Sequence, residues 1–296
     1  MSESIIQISG VSRRFGQKLA LDNVTLNIPA GSVFGLVGEN GAGKTTLLKH
    51  VLGLLKPSDG TVRVLGLDPV TQPAEVLQQI GFLSEDRDLP LWMRIDQLMD
   101  YTRGFFPEWD VSFAGELVEM FELKTDQKLK TLSRGQLARV GLLLAIAHRP
   151  RLLLLDEPSS GLDPVVRRDI LAAIIRTVAD EGRTVVFSSH LLDEVQRVSD
   201  HVAMLHNGKL LMCDRLEQIL ETHVHLTVRL PNKLESHPEV PGALTCSGGG
   251  HEWSVLCNGQ QEQTESWLRE ARAEILDRRT PTLDEIFVAR IGQNAS

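Results

Sequence analysis

Short apolar runs alternate along the chain with longer segments in which apolar residues recur at helical spacing. A short apolar run bounded by turn-forming residues predicts a buried strand, whereas an apolar period near 3.6 residues predicts a helix. The predicted strands are residues 32–37, 61–64, 80–83, 152–155, 184–188 and 201–205, and the predicted helices among them are residues 45–52, 132–147, 164–179 and 191–198. Strands that alternate with helices in this way indicate a parallel, doubly wound sheet of the α/β class.

Other parts of the chain depart from that pattern. The first thirty residues are β-rich, with alternating apolar positions. Residues 94–123 have helical spacing and many aromatic side chains, which predicts a helical subdomain over about residues 86–150. We place the main domain at residues 3–220 and a small α+β accessory domain at residues 221–296. Within the accessory domain we expect strands at residues 223–230 and 252–256 and helices at residues 260–274 and 281–289.

Composition excludes several classes of function. The chain has 296 residues, of which 42% are hydrophobic, and a formal net charge of -8, which argues against nucleic-acid binding because phosphate backbones require a basic surface. No apolar run approaches the roughly 20 residues that a membrane helix needs. Three cysteines without paired metal spacing suit a reducing compartment. We therefore expect a cytoplasmic protein that reaches a membrane only through a partner.

The pattern Gly38-x4-Gly43-Lys44-Thr45 lies between a predicted strand and a predicted helix, as a phosphate-binding loop requires. In such a loop the glycines let backbone N–H groups turn inward and bind an anion at a helix N-terminus. We predict that Lys44 contacts the β- and γ-phosphates of ATP and that the Thr45 hydroxyl ligates Mg²⁺. The predicted nucleotide-binding residues of this loop are Gly38, Glu39, Asn40, Gly41, Ala42, Gly43, Lys44, Thr45 and Thr46.

Two acids follow the apolar run at residues 152–155 directly, namely Asp156 and Glu157. A phosphate-binding loop needs an acid at the end of a nearby buried strand to hold the metal ion. We predict that Asp156 holds the Mg²⁺ shell through water and that Glu157 polarises the attacking water. Together the loop and the acids predict an ATPase that converts ATP and water to ADP and phosphate.

Further motifs carry a resemblance to a known family. The LSRGQ sequence at residues 132–136 resembles the signature motif of ATP-binding cassette (ABC) proteins, and SSGLD at residues 159–163 resembles their D-loop. His190 matches the switch histidine of the family, and Phe15 stands where the family places an aromatic ring that stacks on adenine. The resemblance covers about residues 3–220. It implies a P-loop NTPase cassette with a mixed-sheet core, an N-terminal antiparallel β subdomain and a helical signature subdomain.

The same resemblance implies a composite site. Ser133, Gly135 and Gln136 of the signature, together with Asp163, are expected to act on nucleotide held by another subunit. This chain and a second copy or a homologous cassette would then close head-to-tail around two ATP molecules. His190 is expected to contact the γ-phosphate and to share catalysis with Glu157. A single chain would bind nucleotide but hydrolyse it poorly.

Two residues depart from the family pattern. Arg134 stands in the signature where glycine is commonest, although Ser133 and Gly135 stay usable. Residues 80–85 resemble the segment that ends in the Q-loop glutamine, but here the last residue is Glu85. Because a carboxylate interacts with Mg²⁺ more strongly than an amide does, we expect Glu85 to be a metal-sensing residue. The alternative is an exposed loop residue without such a role.

Two short segments bear on the biological role. Residues 281–287 (PTLDEIF) and 104–110 (GFFPEWD) resemble segments of the exporter-like, ABC-2-type branch of the family. This implies an ATPase subunit that energises export through a separate integral membrane permease, at the inner face of the cell membrane. A soluble ABC ATPase without a membrane partner and an importer ATPase stay open as alternatives. The transported substrate is not indicated.

Aromatic residues between positions 92 and 113 allow two interpretations. They form either helical core or a docking groove for the permease, and we expect Trp92 and Met93 near the contact and Phe113 buried. The segment at residues 221–296 is either regulatory or stabilises a dimer.

Overall fold

The structure is a computed structural model that describes residues 4–86, 88–180, 182–234, 236–259 and 261–294. Residues 3 and 260, where the predicted main domain and one predicted helix begin, lie outside the described residues. The strands are β1 (Ser4–Phe15), β2 (Lys18–Pro29), β3 (Val33–Val37), β4 (Asp59–Val64), β5 (Ile80–Leu83), β6 (Leu152–Asp156), β7 (Thr184–Ser189), β8 (His201–His206), β9 (Lys209–Arg215), β10 (His223–Leu234), β11 (Ala243–Asn258) and β12 (Glu274–Arg279).

The helices account for most of the remaining described residues, and a single 3₁₀ turn lies at Leu129–Thr131. They are α1 (Lys44–Val51), α2 (Pro73–Leu77), α3 (Ile95–Arg103), α4 (Val111–Met120), α5 (Arg134–Ile146), α6 (Pro164–Asp180), α7 (Leu192–Val198), α8 (Leu216–Thr222), α9 (Gln261–Glu270) and α10 (Leu283–Asn294). Within the described ranges, no helix is both long and apolar enough to span a bilayer.

The central sheet has six strands in the order β5-β6-β7-β3-β8-β9. The strands from β5 to β8 in this order are parallel. Strand β9 follows β8 after a two-residue turn, Asn207-Gly208, in which both residues have positive φ, as in turns that join antiparallel strands. Every residue of β3, β6 and β7 is buried, which explains why these strands are largely continuous apolar runs. The predicted α/β cassette with a mixed sheet is confirmed.

The N-terminal residues form a second, antiparallel sheet in the order β2-β1-β4. Ile6 in the central strand pairs with Ile28 on one side and with Val64 on the other. These side chains join Leu47 of α1 and Leu154 of β6 in one buried apolar cluster. The antiparallel sheet is thus packed against the helix that follows the phosphate-binding loop.

The helices α3, α4 and α5 lie between β5 and β6 in the chain. The predicted helical stretch at residues 94–123 is two helices, because residues 104–110 form a connection between α3 and α4. Phe113 on α4 is buried, as predicted, whereas Trp92 is 71% exposed. Ser133 caps α5, the helix predicted at residues 132–147.

The chain divides into two compact units, residues 1–213 and 214–296. The second unit contains an antiparallel sheet in the order β11-β10-β12, whose core includes Leu226, Trp253 and Leu268. The sequence-based boundary after residue 220 falls later than this division. The reason is that α8 belongs with the second unit, where the Ile219 carbonyl lies 2.7 Å from Nδ1 of His223, the first residue of β10.

Candidate functional site

The phosphate-binding loop connects β3 to α1, as the sequence predicts. Gly43 precedes α1 with φ of 110°, a conformation that side-chain-bearing residues rarely adopt. A Cβ atom on Gly38 would lie 2.4 Å from the Leu205 carbonyl oxygen, so this position is also restricted to glycine. Glycine is therefore required at these two positions for steric reasons as well as for phosphate binding.

Lys44 is the buried cation of the site. Its Nζ donates to the Gly38 carbonyl at 2.6 Å and lies 3.0 Å from Oε1 of Glu157. The side chains of Lys44 and Glu157 are only 5% and 4% exposed. Removing either partner would leave a buried charge without its counter-ion, which is costly in a protein interior.

Glu157 follows β6 directly in a left-handed conformation, with φ of 46°. Ser188 at the end of the neighbouring strand β7 fixes this turn, because its Oγ accepts from the Glu157 N–H at 2.9 Å and donates to Asp156 Oδ1 at 2.6 Å. A residue held in this sparsely populated backbone region is typical of functional sites. Ser188 belongs to no sequence motif, although a serine inside a fully buried strand is itself a signal of a polar role.

His190 and Glu157 are in direct contact. Nδ1 of His190 lies 2.7 Å from Oε2 of Glu157, so the carboxylate faces the histidine with one oxygen and Lys44 with the other. The imidazole is 42% exposed, whereas the carboxylate is buried. The structure therefore brings together the two residues that the sequence predicts to be catalytic.

An open pocket of about 390 Å³ lies over the loop. Of the predicted nucleotide-binding residues, Gly38 and Ala42 do not line it: Gly38 binds Lys44 through its carbonyl, and the Ala42 side chain is buried. Lys18 and Ala20 of β2 line the pocket and were missed, because only the folded hairpin of β1 and β2 brings them there. The pocket is lined by Phe15, Lys18, Ala20, Glu39, Asn40, Gly41, Gly43, Lys44, Thr45, Thr46, Glu85 and Glu157.

Glu85 lies in the pocket wall, as the metal-sensing hypothesis requires. Burial raises the pKa of its carboxyl, and the charges of Glu157 and Asp156 raise it further, while Lys44 opposes them. This combination of desolvation and nearby like charge is characteristic of functional sites.

Carboxylate and hydroxyl oxygens are the donors that Mg²⁺ prefers. Thr45 and Glu85 line the pocket, and Asp156 is held next to Glu157 by Ser188. Hydroxyl and carboxylate oxygens of this kind suit a divalent cation, although no three His, Cys, Asp or Glu side chains among the described residues are already grouped as a metal site. We infer that Thr45, Asp156 and Glu85 would hold Mg²⁺ at this position.

Phe15 ends β1 at the rim of the pocket, with 44% of its surface exposed. The guanidinium carbon of Arg13 lies 4.9 Å from the centre of its ring. The ring is thus accessible for stacking on a planar base while a cation covers part of it.

The signature residues lie on a surface distinct from the pocket lining. Ser133 Oγ accepts from the Gln136 N–H at 3.2 Å, and Gln136 Oε1 accepts from the Ser133 N–H at 2.9 Å, which forms a capping box. A Cβ atom on Gly135 would lie 3.6 Å from the Leu162 side chain, and a Cβ on Gly161 would lie 3.5 Å from Arg134. The signature and the segment at residues 159–163 therefore form one continuous surface.

Asp163 ends this segment immediately before α6. Its Oδ1 accepts from the Val166 N–H at 3.1 Å, so the carboxylate caps the helix that Pro164 begins. Asp163 is exposed, as is Gly161.

Comparisons with known proteins agree with this geometry. A family profile described as ABC transporter matches residues 21–160. The ABC transporter ATP-binding protein NatA of Bacillus subtilis is 35% identical over 229 residues, which covers 74% of this chain and 92% of NatA. Nod factor export ATP-binding protein I of Rhizobium johnstonii is 28% identical over 306 residues, which covers 99% of this chain and 96% of that protein.

A solved structure supports the fold. MJ0796, a bacterial ABC transporter cassette solved as a dimer, matches with a TM-score of 0.63 and 26% identity over 71% of this chain and 98% of that chain. A buried lysine, a strand-end carboxylate and a histidine meet over a glycine loop in a chain that aligns with nearly all of NatA. The chain therefore belongs to the ATP-binding proteins of the ABC transporter family and is an ATPase of that family.

Proposed function

We propose that this chain is the ATP-hydrolysing subunit of an export system and that it drives a separate integral membrane permease. The observation that carries the catalytic part is the contact set around Glu157. Its carboxylate lies 3.0 Å from Lys44 and 2.7 Å from His190 while remaining buried. A buried carboxylate between these two groups is suited to act as a general base near a phosphate.

Nucleotide binding follows from the residues around the pocket. Phe15 stacks on adenine, and the backbone N–H groups of the glycine loop bind the phosphates at the start of α1. Lys44 turns from Glu157 towards the β- and γ-phosphates, since a triphosphate is a stronger partner for its charge. Gly38 and Ala42 do not line the pocket, but their backbone shapes the loop.

Hydrolysis then depends on Glu157 and His190. Glu157, released from Lys44, accepts a proton from water as the water oxygen attacks the γ-phosphorus, and the bond to the bridging oxygen of ADP breaks. His190 orients the water and contacts the γ-phosphate. Thr45, Asp156 and Glu85 would hold Mg²⁺, which when bound would neutralise part of the phosphate charge.

The site is completed by a second cassette. Ser133, Gly135 and Gln136 lie at the N-terminus of α5, where the helix dipole favours a phosphate. Together with Asp163 they face nucleotide held by another copy or a homologue, in a head-to-tail dimer. The relative MJ0796 was solved as a dimer, which supports this arrangement.

An apolar groove of about 520 Å³ supports a permease partner. It is lined by Leu54, Phe82, Tyr101 and Phe106 among others, and it lies beside the segment that carries Glu85. Leu54 and Tyr101 are 61% and 58% exposed, and exposed apolar patches of this kind mark interaction sites. Docking there places the chain at the inner face of the cell membrane. The relationship to a Nod factor export protein supports export over import.

The substitution Glu157→Gln tests the catalytic assignment. The amide keeps the shape of the side chain but accepts no proton, so the turnover number should fall by at least about 10²-fold, while ATP binding persists. ATPase rate and ATP affinity of the purified proteins give the two readouts. Glu116→Gln, an exposed glutamate on α4, is the matched control and should keep the parent rate. Hydrolysis by Glu157→Gln at the parent rate would overturn the assignment.

Docking of the chain on the permease is tested separately, by expressing the two proteins together. Tyr101→Asp should release the chain from the membrane fraction without changing ATP binding, because the side chain is exposed. Val288→Asp, at a 68% exposed position of the second unit, is the control. Retention of Tyr101→Asp on membranes would contradict docking in the groove.

A further inference from the structure

A second, largely buried carboxylate lies outside the phosphate pocket, on α7. Glu194 on α7 has a side chain that is only 11% exposed. Its Oε2 accepts a hydrogen bond from Ser159 Oγ at 2.8 Å, and its Oε1 lies 3.6 Å from Nη1 of Arg167 on α6. Neither Glu194 nor Ser159 lines the phosphate pocket, so the pair does not belong to the nucleotide-binding surface.

The same carboxylate also reaches the segment after β7. Oγ of Ser189 lies 3.5 Å from Glu194 Oε2 and accepts from the Leu191 N–H at 3.0 Å. Between Ser189 and Leu191 stands His190, which contacts Glu157. One carboxylate therefore lies against both chain segments that deliver the catalytic pair: the segment that follows Glu157 and the segment that contains His190.

Removing the Glu194 carboxylate from water costs free energy unless other groups stabilise its charge. Burial raises the pKa of the Glu194 carboxyl, while the hydrogen bond from Ser159 and the charge of Arg167 favour its ionised form. A desolvated carboxylate is tolerated only when such partners surround it. Arg167 in turn donates from Nη2 to the Leu162 carbonyl at 3.2 Å, which extends the contacts to residue 162 of the segment 159–163.

We propose that Glu194 is a positioning residue that holds the segment 159–163 in register with His190 and thereby keeps Glu157 and His190 together. The inference rests on the proposed ATPase function and deepens it. Displacement of a catalytic group by about 1 Å can lower a rate by about 10²-fold, so a tie between the two segments affects turnover more than binding.

Glu194→Ala is the direct test, with steady-state ATPase kinetics of the full chain as the readout. We expect kcat to fall by about 10-fold or more, with KM for ATP within about twofold of the parent, because the pocket lining is untouched. Glu194→Gln keeps an acceptor for Ser159 and should recover part of kcat. Asp193→Ala removes an exposed carboxylate one residue away on the same helix and should leave kcat unchanged.

A double-mutant cycle with Ser159→Ala separates positioning from general support of the fold. If Ser159 acts through Glu194, the double variant should be no slower than Glu194→Ala alone. Additive losses of kcat, or a kcat for Glu194→Ala equal to that of the parent, would overturn the inference. So would a parallel loss of kcat and thermal stability that Glu194→Gln does not relieve.

Failure of the inference about Glu194 can be distinguished from failure of the proposed ATPase function. If the parent hydrolyses ATP and Glu157→Gln does not, the ATPase proposal stands whatever Glu194→Ala shows. If Glu157→Gln retains the parent rate, the catalytic assignment fails first, and the role of Glu194 in positioning Glu157 fails with it.

Discussion

At the scale of single residues, the main feature of the site is the concentration of negative charge around one lysine. Glu85 and Glu157 line the same pocket, and Asp156 precedes Glu157 in the chain. The pKa of Glu85 is raised by burial first and then by the charges of Glu157, Asp156 and Asp86. Like charges at such short range oppose ionisation, whereas a divalent cation among them would favour it. Glu85 should therefore matter for metal affinity more than for ATP affinity.

The substitution Glu85→Gln tests this difference. An amide is a weaker Mg²⁺ ligand than a carboxylate, so the Mg²⁺ concentration that supports half-maximal ATPase activity should rise by about 10-fold. The rate at saturating Mg²⁺ should change less. Asp86→Asn, at the exposed position next to Glu85, controls for the loss of one negative charge. An unchanged Mg²⁺ dependence would make Glu85 an ordinary loop residue.

The sequence predicts residues that belong to contiguous motifs better than residues that the fold brings to them. Lys44, Glu157 and His190 stand in or beside recognisable patterns, and the structure places them in contact. No local sequence pattern identifies Ser188 or Glu194, because their partners Asp156 and Ser159 lie 32 and 35 positions away in the chain. Pairing of β6 with β7, which no local pattern encodes, places Asp156 opposite Ser188. Ser159 and Glu194 lie in the segments that follow these two strands.

At the scale of elements, burial decides which strands can be predicted. Strands β5, β6 and β7 are almost entirely buried, and the sequence locates each within one residue of its observed ends. Strand β12 was not predicted, and only its first residue, Glu274, falls in a predicted element, the helix at residues 260–274. All its residues are exposed, so Glu274–Arg279 carries neither an apolar run nor an alternation. Strand β9 was also missed, although the Asn-Gly pair before it is a hairpin signal.

Helix α10 shows that the PTLDEIF segment also has a structural role. Thr282 Oγ1 accepts from the Glu285 N–H at 3.3 Å, and Glu285 Oε2 accepts from the Thr282 N–H at 2.8 Å, which is a capping box. Arg279 of β12 donates to the same carboxylate at 2.8 Å. The arginine lowers the pKa of Glu285 to about 2. Leu283 and Ile286 of the segment are buried beneath this cap.

Glu285→Gln should therefore destabilise the second unit in a pH-dependent way. The folded-state pKa is depressed, so the stabilisation is present above the unfolded value of 4.5 and is lost as the pH falls towards 2. The partners are 42% and 33% exposed, so solvent screening limits the effect at neutral pH to about 0.5–1 kcal/mol. Urea unfolding at pH 7 and at pH 4 measures the difference between parent and variant.

We expect the difference in free energy of unfolding between parent and variant to become smaller as the pH is lowered. Glu270→Gln, an exposed glutamate at the end of α9, should show little difference at either pH. A gap for Glu285→Gln that is constant with pH would mean that the carboxylate acts through packing and not through its charge.

At the scale of the whole molecule, the phosphate pocket and the signature surface are separate within one chain. The pocket lining contains neither Ser133 nor Gly135. Yet Ser133 opens α5 with a capping box, and the adjoining segment at residues 159–163 leads directly from Glu157. A helix N-terminus presented outward beside a catalytic segment is suited to complete the site of a second copy.

Mixing two inactive variants tests this composite site. Glu157→Gln keeps its signature but lacks the base, whereas Gly135→Asp keeps Glu157 but places a carboxylate where the γ-phosphate of the partner should lie. A side chain at position 135 fits the fold, because its Cβ would be 3.6 Å from Leu162. In a hybrid dimer the signature of the first variant meets the catalytic residues of the second and restores one intact site. Random mixing of equal amounts should therefore recover up to about a quarter of the parent ATPase rate, since about half of the dimers are hybrids with one active site of two.

The matched control is Gly135→Asp mixed with the double variant Glu157→Gln/Gly135→Asp. That pair still contains an intact Glu157 but no intact signature, so a head-to-tail site cannot be rebuilt and the mixture should stay inactive. Recovery in the control would show that the signature is dispensable. If both mixtures stayed at the sum of their components while the parent remained active, catalysis would not require exchange of these residues between subunits. Recovery in the first mixture alone is the result that a two-chain active site predicts, because only there do Glu157 of one copy and Gly135 of the other meet intact.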